Sequence, residues 1–265
     1  MSVVVVTGAG GMGLAVARRL GSGCTVLLAD AFPASLERAI NTMTAEGYDV
    51  RGHLTDVSDA AAVAGLAKAA ADIGPIGAVV HTAGVSAATA TIGQIMAVDL
   101  AGTAHVIDAF GEVATHGTSL VCVASMAGHY ATLSPVQERA LALTPSAELL
   151  GLPVVAAAGT PVGAYIVAKR ANQVRVQAAA LDWNRRGARI NTISPGMIAT
   201  AMSRAEADSG HDMMATLDAC GIGRTGTPAE IAEAAAFLTG PASRYITGTD
   251  LLIDGGQAAW LRWHR

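Results

Sequence analysis

Short β-branched, apolar runs recur at residues 3–7, 25–29, 78–82, 119–124, 189–194 and 250–253, and they predict six strands. Ala-rich stretches of helical length lie between most of them, at 13–20, 60–73, 94–112 and 165–186. This alternation predicts an α/β fold: a doubly wound parallel sheet with crossover helices on both faces, three layers deep as α/β/α. Gly187, directly after Arg185 and Arg186, marks a helix end, where cations suit the dipole and glycine accepts a left-handed cap. No repeat, linker or low-complexity segment interrupts the order, so residues 1–265 are read as a single domain.

Composition narrows the function classes. Of 265 residues, 52% are apolar and 14% charged, which is enough apolar surface for a large core. A net charge of -4 with no Lys/Arg cluster argues against nucleic acid as a partner. Cys24, Cys122 and Cys220 are odd in number and have no CxxC or Cys/His spacing, so neither a disulfide framework nor a metal site is expected. The chain runs straight into Val3 with no basic leader. Its most apolar long stretch, 154–168, is broken by Gly159, Pro161 and Gly163 and is too short to span a bilayer. A cytoplasmic protein with no membrane partner is expected.

The sequence Thr7-Gly8-Ala9-Gly10-Gly11-Met12-Gly13 follows the first strand and opens the first helix. In that context glycines let backbone approach a pyrophosphate while the helix N-terminus offers free N–H groups. Read through Gly8, Gly10 and Gly13, it fits the GxGxxG fingerprint of Rossmann-type dinucleotide sites. Asp30 ends the next strand, 22 residues beyond Gly8, where a carboxylate can accept from both hydroxyls of an adenosine ribose. The same charge repels a 2′-phosphate, and neither the glycine turn nor residues 31–36 hold a Lys or Arg to attract one. NAD is therefore the expected cofactor. The structural alternatives are a purely conformational glycine turn and an Asp30 that caps a turn with Pro33.

Tyr165 and Lys169 stand four residues apart, one turn along a single helical face. A phenol titrates near ~10, so work as a base at neutral pH needs stabilising positive charge. Lowering that value by about three units takes roughly 4 kcal/mol, within reach of two desolvated cations, Lys169 and an oxidised nicotinamide. Alone, the pair also reads as a half-buried Tyr beside a snorkelling Lys.

Taken in order, Thr7-Gly8, Asp30, Asp56-Val57, His81-Thr-Ala-Gly84, Ser125-Met-Ala-Gly128, Tyr165…Lys169, Asn191-Thr-Ile-Ser-Pro-Gly196 and Leu251-Leu-Ile-Asp-Gly-Gly256 resemble the short-chain dehydrogenase/reductase family. The resemblance covers residues 2–256. It implies Tyr165 as general acid/base, Lys169 as the group that binds the nicotinamide ribose and lowers the tyrosine pKa, and Ser125 as the holder of the substrate oxygen. It also implies that Asp56 and Val57 frame the adenine, and that Thr200 bonds the carboxamide and orients the ring. Ala83, Gly84, Tyr165, Lys169, Pro195, Gly196 and Ile198 join the implied cofactor-binding set. Purely structural alternatives remain: Ser125 capping a turn, Asp56 capping a helix that begins near Ser58, and Thr200 as an N-cap.

Several positions depart from the family pattern. The glycine turn is a residue short of the commonest form, and His81-Thr82 replaces an Asn-Asn pair. Asp99, in Val98-Asp-Leu-Ala-Gly102, occupies the place of the tetrad asparagine, so a group that only accepts hydrogen bonds replaces one that also donates; it is kept as a catalytic candidate. Ser125 and Tyr165 are 40 residues apart, far more than is common, which implies an inserted helical segment at about 130–160. Ser134-Pro135 with 136–143, then 146–152, predict two short helical pieces in it. Such insertions mark a branch resembling bacterial 3α-hydroxysteroid dehydrogenase/carbonyl reductase, where they cover a dimerisation surface. Altered assembly as a homo-oligomer, dimer or tetramer, and a partly covered cleft are expected. The alternative is a neutral surface insertion.

Met202, Met213, Met214 and Leu217 read as an adaptable apolar lid, or else as core methionines. With the lid, the expected substrate is an apolar secondary alcohol or ketone, cyclic or steroid-like. The rival readings are a non-catalytic NAD-binding sensor and an epimerase or dehydratase on the same scaffold.

Overall fold

The computed structural model describes residues 2–201, 203 and 221–264. Among them β1 (Val3–Thr7), β2 (Thr25–Asp30), β3 (Asp49–Leu54), β4 (Ile76–His81), β5 (Ser119–Val123), β6 (Arg189–Pro195) and β7 (Asp250–Ile253) form one sheet, ordered β3-β2-β1-β4-β5-β6-β7. Every pairing is parallel. The six predicted strands are present. β3 was not predicted because it has no β-branched run and its Asp49, Arg51 and Leu54 are exposed. It is an edge strand, where charged side chains discourage pairing with a further chain.

Both faces of the sheet are buried. Val3, Val5, Leu27 and Val79 join one core with α3 (Ala60–Ile73) and α5 (Thr103–Val113). Val4, Val6, Val26, Leu28 and Val80 join another with α1 (Gly11–Leu20), α2 (Pro33–Ala45) and α9 (Pro228–Thr239). Alternate residues of β1, β2 and β4 thus feed opposite apolar layers, which is why these runs read as continuously hydrophobic. α2 has a weak hydrophobic pattern, burying only Leu36, Ala39 and Met43 among polar neighbours, so its helix is not legible from periodicity.

The predicted stretch 94–112 is not one helix. It begins as α4 (Ile92–Ile95), widens into a π turn at Met96–Gly102, and resumes as α5. Wide turns of this kind often sit at functional sites, and this one carries Asp99.

The segment before Tyr165 is helical, as its capping residues suggested. α6 (Pro135–Leu143) opens with a capping box in which Ser134 and Gln137 satisfy each other's backbone. A 3-10 piece at Ser146–Gly151 and the short α7 (Pro153–Ala156) follow. Leu141 and Leu149 are fully buried in a third core with Ile95, Leu100, Ala164 and Ala168. The segment therefore packs on the π turn and on α8 (Pro161–Arg185). Thr160 caps α8 at its start, and Gly187, with φ +74°, follows its end.

Arg175 fastens the segment to α8. Its Nη1 donates to the carbonyls of Leu141 (3.0 Å) and Thr144 (2.8 Å), the acceptors left free at the end of α6. Arg175→Met keeps most of the packing volume but loses both charged hydrogen bonds, so a loss of about 2 kcal/mol is expected. Thermal unfolding reads this as a lower Tm; an unchanged Tm would show that apolar packing alone holds the segment.

Candidate active site

Consecutive strands run outward in opposite directions from β1 and β4, and their carboxyl ends leave a crevice at this switch point. A cleft of about 480 Å³ opens there, within the usual range for cofactor sites. The glycine turn Gly8, Gly10, Gly11, Met12 and Gly13 forms its floor, with Ala83 and Gly84 after β4. Asp30, Asp56 and Val57 line one side and Thr200 another.

The turn needs its glycines. Gly8 has φ +87°, and a Cβ on Gly13 would overlap the Gly8 carbonyl. Helix α1 begins at Gly11, two residues earlier than predicted, and its N-terminal amides open at this cleft. Thr82 braces the turn, donating from Oγ1 to the carbonyls of Thr7 (2.8 Å) and Gly8 (3.2 Å).

Asp30 is tied to the turn. Its Oδ2 accepts from Ala9 N–H (2.7 Å) and its Oδ1 from Phe32 N–H (2.9 Å), leaving further lone pairs on both oxygens. No Lys or Arg lines the cleft among the described residues. Asp56 accepts from the N–H and hydroxyl of Ser58, forming a local turn, while Asp59 is the cap of α3. Thr200 exchanges hydrogen bonds with Ser203, so it acts as a local cap while also lining the cleft. Pro195, Gly196 and Ile198 do not line it: Pro195 pairs with Ile253, Gly196 donates to the Ile253 carbonyl, and Ile198 is buried in the core. The predicted lid residues Met202, Met213, Met214 and Leu217 lie outside the described residues.

Ser125 follows β5 as the cap of a 3-10 turn, Met126–Tyr130, that packs on α8. Its Oγ accepts from Ala127 N–H (3.1 Å), which leaves the hydroxyl proton free to donate. Gln173, buried on α8, underlies this turn: its Nε2 donates to Ser194 Oγ (2.9 Å) and to the Ser125 carbonyl (3.4 Å), and its Oε1 accepts from Arg170. Tyr165 is half-buried, and Lys169 Nζ lies 5.2 Å from the centre of its ring. Lys169 Nζ donates to Asp99 Oδ1 at 3.2 Å. Burial opposes the ammonium, but Asp99 and then Tyr165 outweigh it and hold Lys169 above the ordinary lysine range. Burial raises the Asp99 carboxyl even against the pull of Lys169 and of Val85 N–H.

The family model described as short chain dehydrogenase matches residues 2–135, and that described as enoyl-(acyl carrier protein) reductase matches 136–258. A short-chain dehydrogenase/reductase of Alternaria brassicicola, bsc3, is 40% identical over 98% of this chain and 97% of its own length. The chain belongs to the short-chain dehydrogenase/reductase family. The 3-alpha-hydroxysteroid dehydrogenase/carbonyl reductase of Comamonas testosteroni is 30% identical over 91% of this chain and 96% of its own. The 3-alpha-hydroxysteroid dehydrogenase of Pseudomonas sp. B-0831, solved with NADH, superposes with a TM-score of 0.78 at 26% identity, covering 100% of each chain. As a member of this family the protein is an oxidoreductase of alcohols and ketones that uses a nicotinamide cofactor.

Residues whose roles only the structure shows explain how the site is held. His81, where the family pattern has an amide, is buried between Thr7 Oγ1 (2.6 Å from Nδ1) and Thr103 Oγ1 (3.1 Å from Nε2). Thr103 donates to the Asp99 carbonyl, so its oxygen accepts from His81 Nε2–H, and Nδ1 accepts from Thr7. Burial, then Lys169, push His81 down to about 3, so the ring is neutral and joins β1 and β4 to the start of α5. Gln173 had no readable signal, since its role depends on a turn distant in sequence. Phe32 had one: an exposed aromatic two residues after Asp30, at the rim of the cleft.

Proposed function

We propose that the protein is an NAD-dependent dehydrogenase/reductase of an apolar secondary alcohol or ketone, with Tyr165 as general acid/base. The observation that carries the reading is the buried Lys169 ammonium beside the half-buried Tyr165 ring, on a helix that supports the Ser125 turn. When bound, the dinucleotide supplies the two-electron acceptor or donor. The glycine turn and the α1 N-terminus hold its pyrophosphate, and Asp30 takes the ribose hydroxyls. With no Lys or Arg lining the cleft beside Asp30 among the described residues, NAD is favoured over NADP. Asp56 and Val57 frame the adenine, and Thr200 orients the carboxamide.

Ser125 Oγ donates its free proton to the substrate oxygen. Tyr165 Oη then exchanges a proton with that oxygen, giving it up in reduction and taking it in oxidation. Lys169 stabilises the phenolate and holds the nicotinamide ribose. The inserted segment, with Leu141 and Leu149 anchoring it beside α8, supports a partly covered cleft suited to a cyclic or steroid-like substrate. Exposed Phe237, Tyr245, Trp260 and Trp263 support assembly as a homo-oligomer.

A screen of absorbance changes with NAD(H) and NADP(H) over secondary alcohols and ketones tests the reading. Turnover of cyclic ketones with NADH is expected; preference for small charged hydroxy acids, or for NADPH, would overturn the corresponding part. A sensor would bind NADH without turning over, and an epimerase would convert substrate without net NADH.

A further inference from the structure

The π turn places Asp99 with no exposed surface, opposite a Lys169 that is 5% exposed. Asp99 Oδ1 accepts two hydrogen bonds, from Val85 N–H (3.1 Å) and from Lys169 Nζ (3.2 Å). Oδ2 is buried and has no hydrogen-bond partner among the described residues, hence no acceptor for a carboxyl proton. Two incoming donors and no outgoing acceptor describe an ionised carboxylate, whose charge the Lys169 ammonium and Val85 N–H support against the burial that raises the carboxyl. The main chain closes over the pair: a Cβ on Gly84 would stand 2.6 Å from Oδ1 and 3.4 Å from Nζ.

The other groups around the amine do not compete for its charge. Cys122 of β5 is a buried thiol pushed up to about 12, and His81 of β4 is a neutral imidazole. On the neighbouring elements, His129 of the 3-10 turn pairs with Asp250, Glu138 of α6 pairs with Arg170, and Asp108 of α5 acts on Arg175. Asp99 is the carboxylate that faces Lys169, and Tyr165 is the remaining titratable group beside it.

We propose that Asp99 is a positioning residue that offsets part of the Lys169 charge, so that the ammonium lowers Tyr165 less than a lone cation would and the phenol stays in its proton-donating form at neutral pH, setting the site for carbonyl reduction. It rests on the reading of Tyr165 as the acid/base group. A lone cation beside a phenol lowers its pKa by about 1–3 units, whereas a cation and anion in contact present a dipole whose field at the phenol is much weaker. In reduction the Tyr165 O–H bond breaks as the product alcohol's O–H bond forms. The other hydrogen, with its electron pair, would come from the reduced dinucleotide when the cleft holds it, and water reprotonates the phenolate. Oxidation needs the phenolate at the outset and is expected only in alkaline medium.

The test is the ionisation of Tyr165 in the protein without cofactor. Tyrosinate absorbance is titrated in the wild type and in Asp99→Asn, each corrected by the same protein carrying Tyr165→Phe, which isolates Tyr165 from the three other tyrosines. Tyr165 is expected to titrate about one to two units lower in Asp99→Asn. The alkaline limb of oxidation should move with it, raising oxidation at pH 7 by about tenfold or more. An unmoved titration in a folded variant overturns the inference and leaves the role of Tyr165 intact. Retained turnover in Tyr165→Phe overturns the functional reading and the inference together. Should Asp99→Asn not fold, Asp99→Ser is titrated in its place, and an unmoved Tyr165 is again decisive against it.

Discussion

Tyr165→Phe is expected to lower turnover by at least about 1000-fold while leaving NADH affinity within about threefold of wild type. The exchange removes one oxygen and its proton from the site. It leaves a ring that still attracts the Lys169 ammonium now 5.2 Å from its centre, since phenylalanine also presents a negative face to a cation. The Lys169–Asp99 contact does not involve the phenol oxygen, and the glycine turn, Asp30 and Asp56 line a cleft built from other elements. Binding and chemistry should therefore separate cleanly. Fluorescence titration of NADH measures the first and single-turnover kinetics the second. A variant that keeps a tenth of its turnover would remove Tyr165 from the chemistry, and one that loses NADH binding would show the phenol to be a cofactor ligand first.

What could be read without coordinates was whatever depends on local chemistry. The β-branched strands declared themselves because both faces of the sheet are buried, and α3 matches its expected bounds. The glycine turn, Asp30, Asp56 and Val57 meet at one cleft because a parallel sheet brings the carboxyl ends of its strands to one edge. Readings failed where a distant contact decides the conformation. The break in 94–112 carries Asp99 where it accepts from Val85 N–H and Lys169, contacts not visible as periodicity. His81 and Gln173 are ordinary strand and helix residues until the sheet and the Ser125 turn surround them. The start of α9 is legible locally: Thr227 and Glu230 form a capping box around Pro228, a signature as clear as the one at the start of α6.

A change of Asp30 to Ala with Ala31 to Arg should shift the preference between NAD and NADP by about 100-fold or more toward NADP. The wild-type carboxylate stands half-buried at the carboxyl end of β2, already accepting from Ala9 and Phe32, and no cation lines the cleft among the described residues. A 2′-phosphate placed there meets a negative charge with nothing to offset it. At an effective dielectric near ~20, a unit charge about 5 Å from that phosphate is worth roughly 3 kcal/mol, reduced by solvent at this open rim. Removing one charge and adding its opposite acts twice in the same direction, so about 100-fold, roughly 2.7 kcal/mol, is a modest demand. The loss of the Ala9 contact should weaken both dinucleotides together and cancel in their ratio. The ratio of kcat/KM values with NADPH and NADH is the quantity to measure. An unchanged ratio would mean that Asp30 serves to fasten the glycine turn and that cofactor choice is made elsewhere.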